Sequence, residues 1–146
     1  MADANRPDVV QLLLCESAAY DETQNSWVLV RPTAHLHVRG YREDPFPHVI
    51  PRLAAYFQLI DAFGTVSLQL QVAAPSLGSG MAQVLMRSDE YLVTFPPNRT
   101  VLDGVIRLEA VPILEAAEYE VRLLAAGQRL GERSVAYLRV TGETMS

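Results

Sequence analysis

One stretch of this chain constrains the fold more than any other. In Thr65 to Val72 the residues Val66, Leu68, Leu70 and Val72 alternate strictly with Thr65, Ser67, Gln69 and Gln71. A period of two sends successive side chains to opposite faces, so this is a strand with one dry face and one wet face. Just before it, Leu53 to Ile60 is apolar on both faces except at Gln58, the pattern of a strand covered on both sides. Asp61-Ala62-Phe63-Gly64 supplies a bend between them. The expectation is a central hairpin, Arg52 to Ala73, with the other elements packed beside or against it.

The remaining segments read in the same way. Val9 to Cys15 is an apolar, partly β-branched run too short for a lone helix. The polar cluster Asp21 to Ser26 separates it from Trp27-Val28-Leu29-Val30, which predicts an antiparallel hairpin. After Pro32, Ala34, Leu36 and Val38 alternate with His35 and His37. Gly40 to Pro51 carries Pro45, Pro47 and Pro51, each holding its neighbour extended, and is expected to cross between sheets. Pro75 to Gly80 has loop composition, and strands are expected at Met81 to Arg87, Tyr91 to Phe95 and Val101 to Val111. Ile113 to Ala117 has room for one helical turn. A second hairpin follows, in which Tyr119, Val121 and Leu123 alternate with Glu118, Glu120 and Arg122, Gly127 lies in the connection and Ser134 to Val140 returns.

These segments predict an all-β chain: a single-domain antiparallel Ig-like β-sandwich of about eight strands. Residues 1–8 are expected to fray, 9–140 to form the sandwich and 141–146 to be a polar tail. A length of 146 residues suits one domain that buries its core without crosslinks. The single cysteine, Cys15, permits no internal disulfide, and its apolar neighbours place it in the core. Leu12-Leu13-Leu14-Cys15 is a poor lipoprotein signal, because Asp3 and Asp8 offset Arg6 and Leu14 occupies the small-residue position. No apolar run reaches the ~20 residues of a membrane span, so a cytoplasmic location is expected. All twelve basic residues are arginine, in keeping with a GC-rich, bacterial genome.

The order of features resembles a bacterial family known only as a domain of unknown function. The resemblance rests on Leu14-Cys15-Glu16-Ser17-Ala18, on Phe46-Pro47 before the central stretch, on Gly64 at its bend, and on Glu118-Tyr119 running through Gly127 to Val140. The chain departs from the family in having Glu16 where Asp is usual and Ala117 where Gly is usual. What the resemblance implies is an Ig-like sandwich; it implies no activity.

Function is constrained mainly by exclusion. A net charge of −5 and no basic cluster leave nothing to hold a nucleic-acid backbone or an anionic membrane. There is no phosphate-cradling glycine loop and no dinucleotide fingerprint, so no cofactor is expected. Gly78-Ser79-Gly80 lacks a nucleophile elbow, and Asp61, Asp89, Glu90 and Asp103 select no acid–base pair by their spacing. Asn98-Arg99-Thr100 matches a glycosylation acceptor but lacks a secretory leader to give it meaning. His35 and His37, two apart on one strand face, are the candidate metal ligands, with His48, Glu43 or Asp44 as a third. Trp27, Tyr41 and Phe46 are the candidate ligand or partner surface. Strands apolar on both faces leave an edge or patch free for pairing. The sequence therefore favours a non-catalytic module for protein interaction or self-association, with a small-ligand or carbohydrate binder and a His35/His37 metalloenzyme as alternatives.

Overall fold

The computed structural model describes residues 6–74, 83–97 and 101–146. Its eleven strands among the described residues are β1 (Asp8–Asp21), β2 (Ser26–Pro32), β3 (His35–Tyr41), β4 (His48–Ile60), β5 (Gly64–Ala74), β6 (Gln83–Arg87), β7 (Tyr91–Phe95), β8 (Val101–Ile113), β9 (Ala117–Ala125), β10 (Gln128–Arg129) and β11 (Val135–Met145). They form two sheets. The first has the order β2-β1-β4-β8; the second runs β3-β11-β9-β5-β6, with β7 also on β5 and β10 also on β9. An all-β sandwich is therefore what this sequence builds. The expected loop at 75–80, the start of the strand expected at 81–87, and positions 98–100 lie outside the described residues, as do residues 1–5.

The central hairpin does not form. β4 lies in the first sheet, between β1 and β8, whereas β5 lies in the second, between β9 on one side and β6 and β7 on the other. The bend between them, with Asp61 at φ 60° and Gly64 at φ 75°, carries the chain from one sheet to the other. The reason is physical: both edges of each strand are already occupied, so their dry faces meet across the core instead of side by side. Leu53, Ala55, Phe57 and Leu59 of β4 share one buried cluster with Val66, Leu68, Leu70 and Val72 of β5. Burying apolar area between two sheets is the main stabilising term for such a fold.

Three further expectations are corrected. Thr141 to Met145 is strand, not tail: these residues pair in register with His37 to Tyr41. That pairing is parallel, so the second sheet is mixed rather than antiparallel. The described part of the N-terminus is held, since Pro7 is fully buried and Asp8 pairs with Ile60. The expected antiparallel β1–β2 hairpin forms, but through Cys15 to Asp21 opposite Pro32 to Ser26; the arm expected for it, Val9 to Cys15, pairs with β4 instead. The 40–51 segment does cross between sheets, from β3 to β4.

The link from β8 to β9 is clamped rather than helical. Tyr119, 1% exposed, donates its hydroxyl to the Glu115 carbonyl at 2.6 Å and accepts from the Glu115 N–H at 3.2 Å. A tyrosine whose hydroxyl ties down the backbone a few residues upstream is the corner found in immunoglobulin-type sandwiches. A second apolar cluster lies outside the first sheet. Ala54 and Val105 alternate with the core residues Leu53, Ala55 and Ile106 and so face away from the main core. The tip of the β1–β2 hairpin covers them, packing Ala18, Trp27 and Leu29 onto Cys15 and Ala54. Arg107 fixes that cover by donating to the Ala18 carbonyl at 2.8 Å.

Candidate functional site

The two histidines are brought together by the parallel pair β3 and β11. His35 is opposite Arg139 and His37 opposite Thr141, so both imidazoles reach Thr141 from the same face. His35 Nε2 lies 2.9 Å and His37 Nδ1 2.8 Å from the Thr141 hydroxyl oxygen, and His37 Nε2 lies 3.0 Å from a Glu143 carboxylate oxygen. With both rings neutral, one proton assignment satisfies all three contacts. His37 Nε2–H donates to Glu143, the Thr141 hydroxyl donates to His37 Nδ1, and His35 Nε2–H donates to the Thr141 oxygen.

This order of carboxylate, imidazole and hydroxyl is the one used in nucleophilic triads. Here it lies on an open strand face, with His37 and Glu143 side chains 38% and 53% exposed. Water-excluding surroundings are what make such a chain reactive. In this fold it forms a cross-strand polar ladder between an edge strand and its neighbour. Neither His48 nor the Glu43–Asp44 pair joins it, and among the described residues no group of three His, Cys, Asp or Glu is arranged to hold a metal ion. Sequence reasoning found His35 and His37 but missed Thr141 and Glu143. Their alternation with Val140 and Gly142 was the available signal, lost by treating the segment as a tail.

The three aromatic candidates do not converge on one platform. Phe46 packs against the main core and over Gly142 of β11. Trp27 packs on the outer cluster, its ring 5.4 Å from that of Tyr20 in an edge-on arrangement. Tyr41 alone is well exposed, at 67%, and carries the Arg42 guanidinium 5.5 Å from its ring centre. Cys15 is fully buried, its thiol directed at the Ala54 carbonyl 3.7 Å away. Burial pushes its pKa up, partly offset by the nearby Arg107 charge.

β2 is one of the two edge strands of the first sheet, with β8 at the other end, and among the described residues it pairs with β1 alone. Leu29 and Trp27 turn to the outer cluster, which leaves Val28 and Val30 on the opposite side, 47% and 44% exposed, across from Ala19 and Ser17.

A two-sheet sandwich with an edge hairpin folded over one face, a tyrosine corner, and a polar ladder on a parallel edge pair defines the class of this chain. No protein-family model matches it, and no curated protein matches it. Among solved structures it is similar to the Pseudomonas fluorescens alkylpurine DNA glycosylase AlkC bound to DNA containing an abasic site analog. That match has a TM-score of 0.51 and 12% identity over 94% of this chain and 31% of that one. It is also similar to a hemolymph-type prophenoloxidase from a crustacean, with a TM-score of 0.51 and 7% identity over 97% of this chain and 34% of that one. At such identities the likeness is one of fold. The chain spans about a third of the length of each structure. Among the described residues no helix is long and apolar enough to cross a membrane.

Proposed function

We propose that this sandwich is a non-catalytic interaction module that pairs with another protein, or with its own copy, along the free edge of β2. The observation that carries the reading is the combination of a one-sided strand, Ser26–Pro32, with the exposed Val28 and Val30. An edge strand offers unpaired N–H and C=O groups to an incoming strand, and alternate apolar side chains give the contact its specificity. Folds of this kind also occur as about a third of larger chains, the setting of an accessory domain. The DNA in the glycosylase structure is not carried over. A net charge of −5 argues against a phosphate backbone as partner.

The test is direct. Light scattering and affinity capture are run on the unaltered domain and on Val28→Asp/Val30→Asp. The reading expects an assembled species or a captured partner that the double variant loses while its circular dichroism and melting curve stay unchanged. A domain that is strictly monomeric at high concentration and captures nothing sinks the reading, as does assembly indifferent to the two aspartates.

A further inference from the structure

A cavity of about 350 Å³ opens between the two sheets beside the β2–β3 crossing. Its apolar floor is aliphatic throughout: Leu36 of β3, Ile50 and Leu53 of β4, and Leu138 of β11, the last three 8%, 4% and 2% exposed. Its rim is charged and unbalanced. Arg31 is engaged with Glu16 at 3.4 Å, in a pair whose side chains are 82% and 52% exposed, and such surface pairs hold weakly. Arg52 also lines the rim, and its side chain makes no hydrogen bond or ion pair among the described residues. Among those residues one guanidinium is therefore left without a partner at the mouth of an aliphatic pocket.

We infer that this cavity is a binding site for a small aliphatic carboxylate, with the acyl chain on the leucine and isoleucine floor and the carboxylate on Arg52. The size fits. An engineered cavity of about 150 Å³ takes benzene, so the present volume accommodates roughly a dozen non-hydrogen atoms, a medium-length acyl chain. The charge fits as well, because arginine presents two parallel donors to a planar carboxylate. The site is separate from the exposed side of β2, and it stands or falls independently of the edge-pairing reading.

Octanoate and 1-octanol, titrated separately into isotope-labelled protein and followed by amide chemical shifts, decide the matter. Saturating shifts are expected at Leu36, Ile50, Leu53 and Leu138, with octanoate bound about ten-fold more tightly than the alcohol. Arg52→Gln, a change at an exposed position, should bring octanoate down to the affinity of octanol. Leu36→Trp, which fills the cavity, should remove both. Shifts scattered over the surface without saturation would overturn the site. Equal affinity for acid and alcohol in the unaltered protein would overturn the role of Arg52. The pair of ligands needs no variant, so a poorly folding Leu36→Trp leaves the test intact.

Discussion

Replacing Gly142 by alanine probes the part of the fold that local pattern conceals. Gly142 lies in β11 opposite Val38 of β3, and the Phe46 ring rests where its side chain would be. An alanine methyl there would be 2.8 Å from Phe46 Cζ, closer still to Cε2, and 3.1 Å from Pro45 Cγ. Carbon atoms pack best at about 3.5–4.0 Å, so the ring or the strand must move. Overpacking of this kind costs about 1–3 kcal/mol. The lower entropy of alanine in the unfolded chain returns about 0.4–1 kcal/mol. The net expectation is a loss of roughly 1–2 kcal/mol, or about 3–6 °C in melting temperature for a domain of this size. Urea unfolding should show a lower midpoint with an unchanged slope. Phe46→Leu shortens the obstructing ring, so the double variant should be more stable than the two single losses add up to, by about 1 kcal/mol. If Gly142→Ala unfolds with the unaltered protein, or if the two changes simply add, then Phe46 does not sit on Gly142 and the account of β11 as a strand reaching Met145 is wrong.

Further measurements test other parts of the molecule. Tyr119→Phe removes both contacts to Glu115 and should cost about 1–2 kcal/mol in urea unfolding, whereas a loss within error would mean the corner carries no weight. Burial first, and the hydrogen bond to Asp103 second, push the Tyr56 hydroxyl from 10.0 up to about 12. Its neutral form is thus favoured in the folded state, so the contribution is intact below pH 10 and is lost as pH climbs towards 12. Ultraviolet titration should find a late-ionising tyrosine component that Tyr56→Phe removes, and stability of that variant should fall less over the same interval. Cys15 should react with a thiol reagent at the rate of unfolding rather than at once, and immediate labelling would contradict its burial. Thr141→Val leaves both histidines without their shared hydroxyl; hydrogen exchange at β3 should then rise about three- to ten-fold while that of β5 stays unchanged.

Alternation along the chain was enough to establish which side chains of β5 and of the start of β9 face the core. Val66, Leu68, Leu70 and Val72 are buried as their period requires, and the polar run from Asp21 to Ser26 turns β1 into β2. These properties are local: a side chain's face follows from the two-residue repeat of its own strand. Which strand lies beside which is another matter, because ladder hydrogen bonds join segments far apart in sequence and any two exposed edges satisfy each other chemically. Tertiary structure therefore decided that β4 and β5 meet through their faces, and that Thr141 to Met145 pairs with β3. It decided the candidate sites for the same reason. His35 and His37 converge on Thr141 and Glu143 only because two strands about a hundred residues apart run parallel in register, with contact separations of 106 and 104 residues. The cavity draws its floor from β3, β4 and β11, and no single one of these segments carries its pattern.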